Sequence, residues 1–245
     1  MANLTAAADA LNAIRAGSCV PITSNLGDAA GCHALADEMA KRVQQLDILV
    51  NNSGVAWASP MESVEERRGW DNVFNLNTKS VFYLTVALLP LLKKGKSVEQ
   101  PAQVINISSI YGSLPHANMP TAKVGHGAWS YLSSKAATSH LTRVLAAKLK
   151  PEHINVNALA PGFFPTTMTR SGESDALDAS HPGGRMGSQY DLAGPALLLA
   201  TNAHLSGVTL PIDGGATLIP AARLPPGTRE RHMPVERADR LNAKL

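Results

Sequence analysis

Leu46-Asp-Ile-Leu-Val50-Asn-Asn-Ser-Gly54 is the stretch whose reading sets the fold. Leu46–Val50 is an apolar run of strand length that stops at polar turn residues, the pattern of a buried strand delivering side chains to a ligand crevice. Working outward, Ala30–Gln45 has helical spacing, and the short apolar run Ser18–Thr23, itself after a helical stretch, reads as a strand. On the other side comes a helix with Val73, Leu76, Val81, Leu84 and Leu88 facing inward, followed by a strand over Gln103–Ile107. A helix from Ser130 with Leu141, Val144, Leu145 and Leu149 on one side leads to a strand over Ile154–Leu159. Alternation of this kind predicts an α/β fold with a doubly wound parallel sheet and ligands at the carboxyl ends of its strands.

The composition agrees. With 44% hydrophobic, 17% charged and only 4% aromatic residues in 245, the chain can bury one large core, and its Ala, Leu and Val suit strands covered on both faces. One domain is expected over 1–220, ending near Pro225-Pro226-Gly227, with a basic extension over 221–245. That extension holds six basic and three acidic side chains, so the +3 net charge resides there and the body carries 16 of each sign. Its mixed signs and lack of interleaved aromatics argue against nucleic acid and favour a solvated or partner-packed tail. No run is long enough for a membrane span, and residues 1–17 lack the features of a signal peptide, so a cytoplasmic protein is expected. Cys19 and Cys32 form no CxxC pair and have no ligand-spaced histidine, which leaves no metal site and two reduced, buried thiols.

Polar residues gather where the strands should end: Asn51 and Asn52, then Ser108 and Ser109, then Pro161 and Gly162. Tyr131 and Lys135, four apart on a helix, share one face. An ammonium near a phenol favours the phenolate, so Lys135 is expected to bring Tyr131 toward use as an acid–base group near neutral pH.

These residues resemble the short-chain dehydrogenase/reductase family. The resemblance rests on NNSG at 51–54, Asn77 in Leu-Asn-Thr-Lys-Ser-Val-Phe, Ser109 in Ile-Ser-Ser-Ile-Tyr-Gly, YLSSK at 131–135, NALAPG at 157–162, Thr166, GRMGSQYDLAG at 184–194 and SGVTLPIDGG at 206–215. Any one of these is weak, since Y-x-x-x-K recurs on ordinary helices, but eight in order span some 165 residues. The resemblance implies a Rossmann-like sheet and a catalytic set of Asn77, Ser109, Tyr131 and Lys135. Tyr131 would protonate the substrate oxygen, Ser109 would hydrogen-bond it, Lys135 would hold the nicotinamide ribose, and Asn77 would bind a water linking Lys135 to solvent. Asn25, Asn52, Gly54, Pro161, Gly162, Phe164 and Thr166 would join Tyr131 and Lys135 in binding NADP or NAD, NADP being preferred. The stretch from Ala102 to Leu149 looks like 3-oxoacyl-type reductases, which implies a small-molecule ketone or secondary alcohol as substrate. The helices around Val73–Leu92 and Tyr131–Leu149 resemble the family's dimer contact, which implies a homo-oligomer.

Three departures qualify the resemblance. No T-G-x-x-x-G-x-G turn is recognisable before Leu46, so the sheet is expected to be amino-terminally truncated, with open edges between the strands at 18–23 and 46–50. The chain as written is then expected to bind neither NADH nor NADPH measurably. Gly27-Asp-Ala-Ala-Gly31 reads as a later strand-to-helix turn and not as a phosphate loop. Asn25-Leu26 stands where the family usually has Asp before an aliphatic residue. Finally, Leu114–Trp129, with His116, Lys123 and His126, reads as a surface insertion beside the substrate mouth, its histidines solvated in preference to a catalytic role. Thr167–Tyr190 resembles a mobile lid. The competing readings are a truncated, non-catalytic relative that acts by pairing with a complete homologue, and a nucleotide-binding regulator.

Overall fold

The computed structural model describes residues 2–117, 123–166 and 181–218. Strands β1 (Ile48–Asn51), β2 (Ala102–Ile107), β3 (Ile154–Pro161) and β4 (Thr209–Ile212) form one sheet in that order, every neighbouring pair parallel. Register sets Leu49 beside Val104 and Val104 beside Val156, so alternate residues of three strands stack into one apolar face. The order along the chain is α1 (Ala2–Ile14), α2 (Ala29–Ala40), β1, α3 (Asn72–Phe74), α4 (Ser80–Ala87), α5 (Leu89–Lys93), β2, α6 (Trp129–Leu149), β3, α7 (Gln189–Thr201) and β4.

The two faces of the sheet are covered unequally. On one, Cys32 and Ala36 of α2, Leu84 of α4, Leu92 of α5 and Leu145, Ala146 and Leu149 of α6 close over Leu49, Val104, Ile154 and Val156. Each buried Leu, Ile or Val among them contributes roughly 1.5–3 kcal/mol. On the other, α7 packs over β2, β3 and β4, with Leu199 against Ile105 and Leu159. Ile48 and Val50 share that second face by strand alternation yet stay 43% and 52% exposed, because α7 stops short of β1.

The expected strand at Ser18–Thr23 does not form. These residues lie outside the sheet, because β1 pairs only with β2 among the described residues and a lone extended segment has no ladder to join. The expected helix around residues 73–88 is present but uneven: π turns at Glu66–Asp71 and Asn75–Lys79 flank α3 and precede α4. Val73, Val81, Leu84 and Leu88 face inward as expected, and Leu76 is half-buried.

Helix α6 departs from its apolar pattern. Val144 is half exposed, while Thr138 and Thr142 are fully buried. Both threonines donate back to their own helix, to the carbonyls of Ser134 and Thr138, and a hydroxyl satisfied this way can replace an aliphatic side chain in the core. The two cysteines are free; Cys32 is fully buried as expected, whereas Cys19 is only partly so. No described helix is long and apolar enough to cross a membrane. The basic extension at 221–245 lies outside the described residues.

Candidate active site

The carboxyl ends of β1, β2 and β3 converge on the amino-terminal half of α6. Buried polar bonds hold the convergence together: Asn51 of β1 donates to Asn106 of β2 at 2.9 Å, and Asn106 donates to Thr142 of α6 at 2.9 Å. Ser108, just past β2, donates to the Lys135 carbonyl at 2.9 Å. Gly112 makes the close approach of the next turn possible, because a Cβ there would lie 2.8 Å from the Lys135 carbonyl carbon. These contacts set Ser109, Tyr131 and Lys135 around one point.

Tyr131 and Lys135 are 7% and 5% exposed. Burial raises the Tyr131 phenol above its ordinary value, and a hydrogen bond with Ser109 opposes that rise. Burial also lowers the Lys135 ammonium from 10.5 to about 8. The Lys135 Nζ sits 5.8 Å from the Tyr131 ring centroid and donates to the Ile107 carbonyl at 2.7 Å. Burial is the largest influence on the Tyr131 phenol, and it acts against the lowering expected from Lys135.

Asn77 is buried within the second π turn, and its amide is fully engaged. Its Oδ1 accepts from the Val55 N–H at 2.8 Å, while its Nδ2 donates to the Val55 carbonyl and the Ser134 hydroxyl, both at 2.9 Å. This clamps the loop after β1 to α6. A Cβ on Gly54 would meet Asn77 Oδ1 at 3.1 Å and Lys135 Nζ at 3.5 Å, so only glycine leaves the ammonium approachable from that side. A sugar hydroxyl arriving past Gly54 would find Lys135, and the donor set fits the ribose of a nicotinamide nucleotide. Asn52 is exposed beside this opening.

The other expected cofactor residues are spread more widely. Asn25 is exposed, and its Oδ1 accepts from the Gly27 N–H at 3.0 Å. It borders a cavity of about 610 Å³ shared with Leu26, Val50, Ser53 and Leu76. The Gly27–Gly31 turn is a helix cap: Asp28 Oδ1 accepts from the Gly31 N–H at 2.8 Å, placing a carboxylate where a phosphate loop would receive its anion. Pro161 ends β3 and its carbonyl accepts from Ser109 Oγ at 3.5 Å. The Gly162 N–H bonds the Ile212 carbonyl of β4, Phe164 is buried, and Thr166 is exposed beside the undescribed residues 167–180. Most of the expected lid therefore lies outside the described residues.

Several site residues escaped the sequence reading. Tyr111 is buried against Tyr131, pushed up to about 12 by burial and then by that neighbour, and stacks edge-on with Phe163 at 5.8 Å. With Val73, Ile110, Ala128 and half-buried Val55, Trp57, Leu114 and Met186, they form an apolar cluster around Tyr131. Ser134, the Asn77 anchor, stood inside YLSSK. The insertion is less solvated than expected: His116 is exposed, but His126 Nδ1 lies 3.4 Å from the Ala58 carbonyl and Gly127 is buried.

The short-chain dehydrogenase family model matches residues 1–176. A rhamnolipids biosynthesis 3-oxoacyl-[acyl-carrier-protein] reductase of Pseudomonas aeruginosa is 42% identical over 206 residues, covering 81% of this chain and 77% of its own. A 2-dehydro-3-deoxy-D-gluconate 5-dehydrogenase of Dickeya dadantii is 33% identical, covering 79% and 74%. Among solved structures, the Pseudomonas aeruginosa RhlG/NADP active-site complex superposes with a TM-score of 0.76 at 41% identity, covering 87% of this chain and 83% of that one. The chain thus belongs to the short-chain dehydrogenase/reductase family, and by family it is a nicotinamide-dependent oxidoreductase close to the ketoreductases.

Proposed function

We propose that the protein reduces a ketone carried on an apolar chain, of the 3-oxoacyl type, to the secondary alcohol with NADPH. The observation that supports this most is the apolar wall around Tyr131, formed by Tyr111, Phe163, Trp57, Leu114 and Met186. A sugar acid would leave its hydroxyls unpaired against such a wall, which favours the 3-oxoacyl relatives over the gluconate dehydrogenases as a guide. A bound dihydronicotinamide would supply the hydride. Tyr131 donates the proton to the substrate oxygen, Ser109 orients that oxygen, and Lys135 binds the ribose through the opening at Gly54. Asn77 holds the Val55 loop and α6 in register.

The retained set of Asn77, Ser109, Tyr131 and Lys135 speaks for catalysis over a non-catalytic partner role. A homo-oligomer in the cytoplasm completes the reading. The test is NADPH oxidation by the purified protein with a short 3-oxoacyl thioester and, separately, a keto sugar acid; turnover with either would also overturn the expectation from the sequence that the chain binds neither NADH nor NADPH. Turnover of the thioester at least tenfold above the sugar acid is expected. Equal or reversed preference overturns the substrate class, and no oxidation with either overturns the reading.

A further inference from the structure

Helix α6 carries Tyr131 in its first turn, yet that end has no capping side chain: the N-cap is Ala128, one of the poorest residues for the position. Something else must fix where the helix starts. The structure supplies it from the loop after β1. Ser59 and Gly127 form an antiparallel bridge, Ser59 N–H to the Gly127 carbonyl at 3.1 Å and Gly127 N–H to the Ser59 carbonyl at 2.9 Å. The Trp129 indole N–H donates to that same Ser59 carbonyl at 3.0 Å. Ser130 Oγ donates to the Gly69 carbonyl, and the Ala128 N–H bonds the Ala117 carbonyl at 2.9 Å.

Two glycines allow this assembly to close. A Cβ on Gly127 would lie 2.6 Å from the Trp129 ring, and one on Gly69 would lie 2.8 Å from Trp57. Both indoles therefore rest on bare backbone, Trp129 beside the start of α6 and Trp57 beside the first π turn. The bonds and indole contacts join four segments, 57–59, 69, 117 and 127–130, and reach the residue next to Tyr131.

We propose that Ser59, Gly127 and Trp129 form a clasp that positions Tyr131 and keeps water out of its side of the site, with Trp129 as the principal positioning residue. The segment 123–129 is in this account a functional strap and not a decorative surface loop. Trp129 acts through the first turn of α6, its indole N–H committed to the Ser59 carbonyl. The inference rests on Tyr131 being the proton donor, so its test includes a readout that does not need turnover.

Two variants perturb the clasp from opposite sides. Trp129→Phe keeps an aromatic ring but removes the indole donor and part of the ring. Gly127→Ala keeps the donor and displaces the ring. Tyrosinate absorbance after a rapid pH jump, with Tyr131→Phe subtracted to isolate this phenol, reports whether the phenol has become hydrated. Both variants should move the Tyr131 titration down toward the ordinary value of about 10, by roughly half a unit or more. They should lower kcat by about tenfold or more while KM and NADPH affinity stay within about twofold. An unchanged Tyr131 titration in both variants overturns the clasp, as does a loss expressed wholly in KM. A shifted titration in a protein without reductase activity would instead uphold the clasp and overturn the proposed reaction.

Discussion

Replacing Lys135 by methionine should stabilise the ligand-free protein at neutral pH while impairing its chemistry. The ammonium is 5% exposed, and burial brings it from 10.5 to about 8. Because its folded value lies below its unfolded one, the cost of holding it charged is fully present below about pH 8 and fades as pH rises toward 10.5. A shift of this size puts that cost at roughly 3 kcal/mol at pH 7, and roughly 1 kcal/mol remains at pH 9.5. Methionine fills a similar volume without the charge, at the loss of the bond to the Ile107 carbonyl, which is worth about 1 kcal/mol. The net expectation is a gain of about 2 kcal/mol at pH 7 that nearly vanishes by about pH 9.5. Urea unfolding of both proteins at the two pH values measures it. Using the difference between them cancels Cys32, Tyr111 and Tyr131, whose raised values penalise their anions at the alkaline end. A difference independent of pH, or a Lys135→Met protein less stable at pH 7, would refute the reasoning. The same variant should lose both turnover and cofactor affinity.

Tyr131→Phe keeps the ring and removes the transferable proton, so turnover should fall by roughly 100-fold or more while NADPH affinity persists, as measured by steady-state kinetics and fluorescence titration. Near-normal turnover would remove Tyr131 from the reaction. The exposed Phe82, Val86 and Val144 on the helices resembling the family's dimer contact should be covered by a second copy, and sedimentation at micromolar concentration should show a dimer or tetramer. A clean monomer would contradict it.

Much of the architecture was legible in local pattern. The strands near 48, 103 and 154 and the helix carrying Tyr131 and Lys135 announced themselves through apolar runs and period; for those near 103 and 154 the reason is that a segment buried on both faces must be apolar along its length. Ser18–Thr23 has the same local appearance but no neighbour to pair with, and pairing is a property of the sheet. Val144 misled for a related reason: apolar periodicity cannot reveal that Thr138 and Thr142 satisfy their hydroxyls within the helix and take the core face instead.

For the site, sequence by itself determined which groups exist and that Tyr131 and Lys135 share a helix face, since four residues is one turn. Only the tertiary structure decided their electrostatics, because desolvation depends on what closes over a group. Burial lifted Tyr131 and depressed Lys135, against the expectation from their proximity alone. Tertiary structure also decided the roles of Tyr111, Ser134 and Trp129, and joined Ser59 to Gly127 across 68 positions of sequence, a contact with no local signature.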